Sequence, residues 1–316
     1  MAETAPAQHN QAPADAAVAY ARAHRVRLLK ERTIRLVFVI AGISSIAIVA
    51  LILLFLLKDG LPFLGRYSFW SFITGTTWSP TATVPEFGLL PILTGTLAVT
   101  AIAIALSLPI GVGAALYLSE VAGPWEREIV KPLIEALAAI PSVVMGFFGY
   151  VVLGQIVRVV FNAPVEHNAL TGGIILALMA VPTIVTISED AMRSVPKSFR
   201  EGSLALGASR WETAWRVTLP ASASGVTAAT MLGLGRAVGE TMAVLMCTGN
   251  APVIPTSVLL PIRTMTATIA AEMGEVPYGS AHYHALFMVG AALFVLTLAI
   301  NTAARKAIGR FQFKGQ

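Results

Sequence analysis

Six segments of the sequence, each about 20 residues or longer, carry almost no charged side chains. A helix rises about 1.5 Å per residue, so a segment of this length can cross the hydrocarbon core of a bilayer. Lipid offers no hydrogen-bond partner to backbone groups, and the apolar residues run continuously rather than in alternation, which favours helices over a barrel. The sequence therefore predicts an all-α membrane protein with six transmembrane helices, at residues 36–57, 87–119, 132–157, 169–188, 221–250 and 285–304.

The composition agrees with a chain embedded in membrane lipid. Hydrophobic residues make up 56% of the chain and charged residues 12%, whereas soluble domains carry about 25% charged residues. A soluble enzyme and a disordered chain are both disfavoured, because neither has this excess of apolar over charged side chains. The net charge of +5 does not indicate a nucleic-acid partner, since the positions of the cations matter more than their sum. The single cysteine, Cys247, excludes an intrachain disulfide and a cysteine-rich metal site.

The lysines and arginines that flank the apolar segments predict which ends face the cytoplasm. If the N-terminus is inside, 17 of these cations lie in cytoplasmic segments and 4 in outer segments, with Arg236 inside a span. Because positive residues accumulate on the cytoplasmic side, both termini are expected there. We therefore expect residues 1–30 to form a disordered cytoplasmic tail, residues 31–308 the transmembrane domain, and residues 309–316 a second cytoplasmic tail.

The longest predicted cytoplasmic loop, residues 189–220, contains signals for two short helices. A helical pattern covers residues 198–206, and Gly207 can end that helix in the left-handed conformation. Ser209 followed by Glu212 fits a capping box for a second helix, which is expected to end with the loop. The two helices present tryptophan, leucine and basic residues. Two roles stay open from the residues alone: a cap on the helical bundle, or docking into a groove of a partner.

This loop resembles the EAA loop of bacterial ABC importer permeases. The family pattern is EAA, three residues, G, nine residues, I, one residue and LP, and its spacing is kept throughout this chain. The matching residues are Glu201, Gly202, Ser203, Gly207, Val217, Leu219 and Pro220. Glycine at the second position weakens the first helix by up to about 1 kcal/mol relative to alanine. The resemblance implies that the loop sits in a groove of an ATPase subunit and carries its motion to the spans.

The predicted fifth span contains a charged pair, Arg236 and Glu240, four residues apart and so on one helical face. A charge within a span costs at least about 2.5 kcal/mol, so such residues usually face a pathway or a partner. Two interpretations stay open: a structural ion pair, or a translocation path in which Arg236 binds an oxyanion and Glu240 holds the guanidinium when the path is empty. Small residues in the same span predict close helix packing along two stripes, one of Gly225, Ala229, Gly233 and Ala237, the other of Gly235, Gly239 and Ala243.

Residues 232–244, LGLGRAVGETMAV, resemble the corresponding stretch of the PstC family of phosphate permeases. Further matches lie at residues 138–144, 95–96 and 248–250, and the resemblance covers roughly residues 35–304 in span order. It implies ATP-driven import of inorganic phosphate across the inner membrane of a bacterium. The partners it implies are a second permease (PstA-like), an ATPase homodimer (PstB-like) and a periplasmic phosphate-binding protein (PstS-like).

The sequence contains neither a GxxxxGK[ST] phosphate-binding loop nor an HExxH motif or metal-spaced histidine cluster. We therefore expect no cofactor on this chain and no enzymatic activity of its own, with ATP bound and hydrolysed by the partner ATPase.

Three alternatives to phosphate import stay open. They are an ABC permease for another oxyanion, such as molybdate or sulfate, or for an organic solute; an ion-coupled secondary transporter; and a subunit that signals without transporting.

Three further groups of residues have simpler expected roles. The aromatic residues of the outer loop, residues 58–86, suit the headgroup layer of the membrane in a short interfacial helix. His282 and His284 are expected to be solvated in another outer loop. Lys131 and Glu135 lie four residues apart and are expected to form a local salt bridge.

Overall fold

The computed structural model describes the backbone of residues 12–311 and the side chains of residues 30–303 and of Lys306. The chain divides into two compact units, Met1–Phe55 and Leu56–Gln316, which are described separately. Helices dominate the described residues. The strands among them are β1 (Trp78–Ser79) and β2 (Glu86–Phe87), which pair antiparallel with Trp78 opposite Phe87.

Helix α1 extends from Ala12 to Leu64 and supplies the described part of the first unit. It begins inside the segment 1–30 that was expected to be disordered, because alanine is frequent there and has the highest helix propensity. Residues 1–11 of that predicted tail lie outside the described residues. From Lys30 onward the helix is long and apolar enough to cross a bilayer, and its large apolar side chains are mostly exposed, as suits a surface in lipid.

The second unit contains the remaining elements. Its helices are α2 (Phe69–Thr74), α3 (Leu90–Leu116), α4 (Pro124–Ala139), α5 (Ser142–Phe148), α6 (Gly154–Phe161), α7 (Ala169–Arg193), α8 (Lys197–Ala205), α9 (Arg210–Thr213), α10 (Leu219–Ala221), α11 (Ala223–Gly239), α12 (Met242–Cys247), α13 (Met265–Glu272) and α14 (Ala281–Phe311). Three π-helical turns extend or join them, at Tyr117–Val121, Gly149–Leu153 and Ala214–Thr218. Helix α14 continues into the predicted C-terminal tail, of which residues 312–316 lie outside the described residues.

Five helical stretches in the described residues are long and apolar enough to cross a membrane, namely Lys30–Leu64, Leu90–Val121, Ser142–Phe161, Ala169–Arg193 and Ala281–Ala303. A sixth forms if Arg210–Ala221 and Ala223–Gly239, which meet at a bend of 73°, count as one span. This confirms the all-α membrane architecture.

The predicted third span is wrong at its start, because Pro141 excludes Ile140 from the helical conformation and the apolar helix begins at Ser142.

Helix α7 lies at the centre of the second unit. Within its most apolar stretch 61% of the residues are buried, against 28% for α3 and 33% for α14. Gly111 of α3 and Gly233 of α11 both face Ile184 of α7, where an added Cβ would come within 2.7 and 2.9 Å of the isoleucine side chain. The missing side chains let α3 and α11 approach α7 closely, and these helices then hold the residues described below.

The outer loop packs its aromatic residues inward rather than into the headgroup layer. Phe63, Phe72, Trp78 and Phe87 are buried together, against residues of α13 and α14. Trp70, in the predicted short helix, remains exposed. The expectation for this loop is therefore wrong for Phe63, Phe72 and Trp78, which pack into a core with α13 and α14, while Phe69 remains exposed beside Trp70.

The two outer histidines also have partners in the protein, so the expected solvated pair is wrong. His282 Nε2 lies 2.8 Å from a carboxylate oxygen of Glu272, and His284 Nδ1 lies 2.5 Å from the backbone carbonyl of Asp59. Arg263 donates to the same Glu272 carboxylate at 2.6 Å. These polar contacts join Arg263, Glu272 of α13 and the start of α14 to one another, and they join α14 to Asp59 of α1.

Candidate functional site

The cytoplasmic loop forms the two predicted helices. Helix α8 ends before Gly207, whose φ of +87° is the left-handed conformation that glycine adopts without a Cβ penalty. Ser209 then caps α9: its hydroxyl oxygen accepts from the backbone N–H of Glu212 at 3.2 Å, and the Glu212 carboxylate accepts from the backbone N–H of Ser209 at 2.9 Å. The predicted turn and capping box are therefore both confirmed.

The residues that match the EAA pattern occupy both arms of this hairpin. Glu201, Gly202 and Gly207 are exposed, and an added Cβ on either glycine would meet no described atom. The hydroxyl groups of Ser203 and Thr213 lie 2.9 Å apart and join the two arms. On the second arm Val217 and Leu219 are half-buried and Pro220 is exposed.

The hairpin exposes large apolar side chains on its surface. Leu206 at the tip is 91% exposed, and Phe199, Leu204, Trp211 and Trp215 are exposed as well. Exposed apolar groups in a cluster are typical of a docking surface. The arrangement therefore favours a partner groove over a simple cap on the bundle.

The second arm of the hairpin continues into the next membrane helix. The helix was expected to end with the loop at Pro220, but the backbone stays helical through the π-turn Ala214–Thr218 and α10. Pro220 lies within this continuous helical run, where it has no backbone N–H to donate to the preceding turn. After Ala221 the chain bends by 73° into α11. The backbone therefore leads from the hairpin directly into the helix that carries Arg236.

The predicted fifth span is broken at Glu240, because α11 ends at Gly239. Glu240 has an extended backbone with ψ of 134°, and α12 starts at Met242. The Glu240 carboxylate accepts from the backbone N–H groups of Thr241 at 3.1 Å and Ala243 at 3.4 Å. It therefore serves the start of α12, where unpaired N–H groups favour a negative charge.

Arg236 and Glu240 do not form an ion pair among the described side chains. The expected shared helical face is wrong because the break at Glu240 turns the carboxylate toward α12. Arg236 is half-buried in the last turn of α11. The N–H donors of its guanidinium are therefore available to bind another group.

Helix α11 has one packed face and one open face, and Arg236 lies between them. The first predicted stripe of small residues is packed: Ala229, Gly233 and Ala237 are buried. On the other side Gly235 and Gly239 are exposed, and an added Cβ would meet no described atom within 4 Å. The close packing predicted for the second stripe is therefore wrong for Gly235 and Gly239, whereas Ala243, beyond the break, is buried. The two glycines leave an open surface beside the guanidinium, which suits a solute or a neighbouring subunit.

A buried carboxylate, which the sequence reasoning missed, organises the cytoplasmic end of α7. The side chain of Glu189 is 1% exposed and accepts from Lys131 at 2.6 Å and from Arg193 at 3.3 Å, with Arg127 at 3.8 Å. The predicted pairing of Lys131 with Glu135 is wrong, because a buried carboxylate needs compensation by cations more than an exposed one does. The hydrogen bond to Glu189 raises the pKa of Lys131 above its usual value, against the opposing effect of partial burial.

Comparison with known proteins identifies the kind of chain that has these features. Residues 107–310 match the model of the family described as "Binding-protein-dependent transport system inner membrane component". A probable ABC transporter permease protein of Bacillus subtilis, YqgH, is 41% identical over 226 residues, which cover 72% of this chain and 73% of that protein. The phosphate transport system permease protein PstC 1 of Mycobacterium bovis is 37% identical over 275 residues, covering 76% of this chain and 81% of that protein.

Solved structures show the same fold at low sequence identity. A chain of the inward-facing MetNI methionine ABC transporter superimposes with a TM-score of 0.54 at 19% identity, covering 72% of this chain and 95% of that one. A chain of a bacterial alginate ABC transporter superimposes with a TM-score of 0.61 at 15% identity, covering 88% and 96%. The fold is thus that of a type I ABC importer permease, and the chain belongs to the family of binding-protein-dependent transport system inner membrane components.

Proposed function

We propose that this chain is a membrane-spanning permease subunit of an ATP-driven importer of inorganic phosphate. The observation that carries the proposal is its identity of 37% over 275 residues to a permease named for phosphate transport. As a family member it is an inner-membrane transport subunit rather than an enzyme, and the family implies an ATPase and a substrate-binding protein as partners. In the finer form of the proposal these are a PstB-like ATPase homodimer and a PstS-like periplasmic phosphate-binding protein, together with a PstA-like second permease.

Arg236 supplies the chemistry that a phosphate path requires. Its guanidinium is planar and always protonated, and it offers donors that match two oxygens of a phosphate. It has no carboxylate partner among the described side chains and lies beside the open face of α11. Phosphate binding would compensate a charge that is costly to keep within a span.

Glu240 is proposed to act on the same path in a different way. Its carboxylate carries a negative charge one turn beyond Arg236 along the chain, while serving the start of α12. A fixed carboxylate repels phosphate, so the anion would be held only transiently between the end of α11 and the start of α12. The pair would then work as a gate rather than as a tight binding site.

The exposed hairpin is proposed to dock in a groove of the ATPase through the EAA-like residues. Its apolar tip and tryptophans form the docking surface. The EAA-like residues determine the shape of the two arms, and they are Glu201, Gly202, Ser203, Gly207, Val217, Leu219 and Pro220. This chain binds no cofactor in the proposal, and ATP binds to the ATPase pair. ATP can drive the cycle only by binding one arrangement of the complex more tightly than the other. The spans would alternate between inward-open and outward-open arrangements.

The test is uptake by proteoliposomes that contain the purified complex, with ATP trapped inside and labelled phosphate and the binding protein outside. We expect uptake that requires both ATP and the binding protein and that excess sulfate or molybdate does not reduce. Competition by either anion would reassign the substrate to another oxyanion. Uptake that continues without ATP and follows an imposed ion gradient would contradict an ABC importer altogether.

A further inference from the structure

Helix α8, the first arm of the hairpin, contacts the helical bundle through the guanidinium of Arg200, and its Ser203 hydroxyl joins it to the second arm at Thr213. None of its residues is fully buried, and its apolar side chains Phe199 and Leu204 are exposed. Arg200 differs from these exposed side chains. Its side chain is 19% exposed, and its guanidinium points away from the docking surface toward the bundle. Polar contacts, rather than an apolar core, therefore fix the position of this helix.

All three nitrogen atoms of the Arg200 guanidinium are used. Nε donates to both carboxylate oxygens of Glu120, at 2.9 Å to Oε1 and 3.1 Å to Oε2, and Nη2 donates to Oε1 at 2.8 Å. Two guanidinium nitrogens thus engage both oxygens, an arrangement that makes arginine–carboxylate contacts strong and directional. Nη1 donates to the carbonyl of Val195, and Nη2 also donates to the carbonyl of Met192, each at 2.7 Å. One side chain thus joins α8 to the end of α7 and to the turn that carries Glu120.

Glu120 lies in the π-helical turn Tyr117–Val121 that ends the second span. Its side chain is 8% exposed, so the pair with Arg200 is largely shielded from water. Arg127 of α4 donates to the carbonyl groups of Leu118 and Ser119 in the same turn. The turn is therefore fixed on both sides, and a movement of Arg200 cannot be absorbed by a loose segment.

From this geometry we infer that Arg200 is a positioning residue that transmits the movement of α8 to the second span through its pair with Glu120, and to the fourth span through the carbonyl of Met192. The inference rests on the proposed function, and it adds a second route by which movement of the hairpin reaches the membrane helices. The backbone route leads from the other arm of the hairpin into α11, whereas the arginine route leads into α3 and α7. Together the two routes move the three helices that form the centre of the bundle.

The decisive variant is Glu120→Gln. It keeps the size of the side chain and leaves the surface of α8 that faces the ATPase unchanged, so the complex is expected to assemble. Glu166→Gln is the matched control, because it makes the same change in another ion pair, with Arg158 at 2.9 Å, outside the hairpin. Arg200→Gln removes the other partner, and Arg200→Lys keeps the charge without the paired geometry.

The measurement is the number of phosphate ions imported per ATP hydrolysed in proteoliposomes, with the amount of bound ATPase per permease as a check on assembly. For Glu120→Gln and Arg200→Gln we expect this ratio to fall by about fivefold with assembly unchanged. Arg200→Lys should give an intermediate ratio, and Glu166→Gln should match the unmodified complex. A merely structural role would lower uptake and hydrolysis in parallel and leave the ratio unchanged.

An unchanged ratio in both Glu120→Gln and Arg200→Gln overturns the inference, and so does a loss of bound ATPase, which would make the pair a support for docking instead. The unmodified complex in the same assay reports on the proposed function. If it imports phosphate with ATP while the variants keep its ratio, the inference alone fails. If it imports no phosphate, the proposed function fails first.

Discussion

Thr266 donates its hydroxyl hydrogen to the backbone carbonyl of Glu240 at 2.8 Å. This bond joins α13 to the break between α11 and α12, where the extended backbone of Glu240 has taken that carbonyl out of the helical ladder. An unpaired carbonyl in a largely dry environment is costly. A residue of a neighbouring helix, Thr266, therefore stabilises the break in the fifth span.

We expect Thr266→Val to lower the free energy of unfolding by about 1–3 kcal/mol, because it leaves the Glu240 carbonyl unpaired while keeping the shape of the side chain. Thermal unfolding of the purified complex measures this. Thr266→Ser retains the hydroxyl group and should stay close to the unmodified protein. Equal stability of the valine and serine variants would show that the bond does not support the break.

Alanine substitutions at Gly95 and Gly113 of α3 should change the stability of the protein in opposite directions. An added Cβ at Gly95 would clash with the backbone carbonyl oxygen of Arg263, whereas at Gly113 it would meet no described atom within 4 Å. We expect Gly95→Ala to destabilise by about 1–3 kcal/mol through overpacking. Gly113→Ala should be neutral or stabilising by up to about 1 kcal/mol, since alanine favours a helix. Two similar melting temperatures would contradict this packing.

Glu189 and Asp190 provide a matched pair of neighbouring carboxylates. The Glu189 side chain is buried among three cations, while that of Asp190 is 64% exposed and contacts Lys131 at 3.3 Å. We expect Glu189→Gln to lower the free energy of unfolding by about 1–3 kcal/mol, because it leaves partly buried cations without their counter-charge. Asp190→Asn should change it by less than about 0.5 kcal/mol. Denaturant unfolding of both variants checks the difference, and equal losses would contradict the role of Glu189.

The raised pKa of Lys131 predicts a dependence of stability on alkaline pH. Since folding raises this pKa, the contribution of the ammonium group is fully present below the unfolded value of about 10.4. It is lost as the pH rises through the higher folded value. Lys131→Met lacks this contribution, so its difference in stability from the unmodified protein should be constant near neutral pH and shrink at high pH. A difference that does not change up to about pH 11 would contradict the pairing with Glu189.

Local signals in the coupling hairpin could be predicted from the sequence. Gly207 and the pair Ser209 and Glu212 act within a few residues of their own positions, so the turn and the cap follow from residue type and spacing. Apolar length likewise predicted most of the membrane helices. These features do not depend on which other segments pack nearby.

The contacts that cross between helices could not be predicted in this way. A glutamate four residues after an arginine has the same pattern in a continuous helix as in a broken one, so the extended backbone at Glu240 gave no signal. Similarly, Lys131 has a suitable partner in its own helix, and only the packing of α4 against α7 brings it to Glu189. Arg200 and Glu120 are separated by 80 positions, and neither stands out from the other charges near the spans.

The uptake of phosphate by an Arg236→Gln complex tests the central claim most directly. We expect uptake at least about tenfold below that of the unmodified complex, because neutral glutamine lacks the charge and the paired donors that bind the anion. Arg236→Lys should recover part of the activity, and Arg158→Gln, which changes an exposed arginine paired with Glu166, should have no effect. If the Arg236→Gln complex assembles with its ATPase and imports phosphate at the unmodified rate, Arg236 does not lie on the phosphate path and the account is wrong.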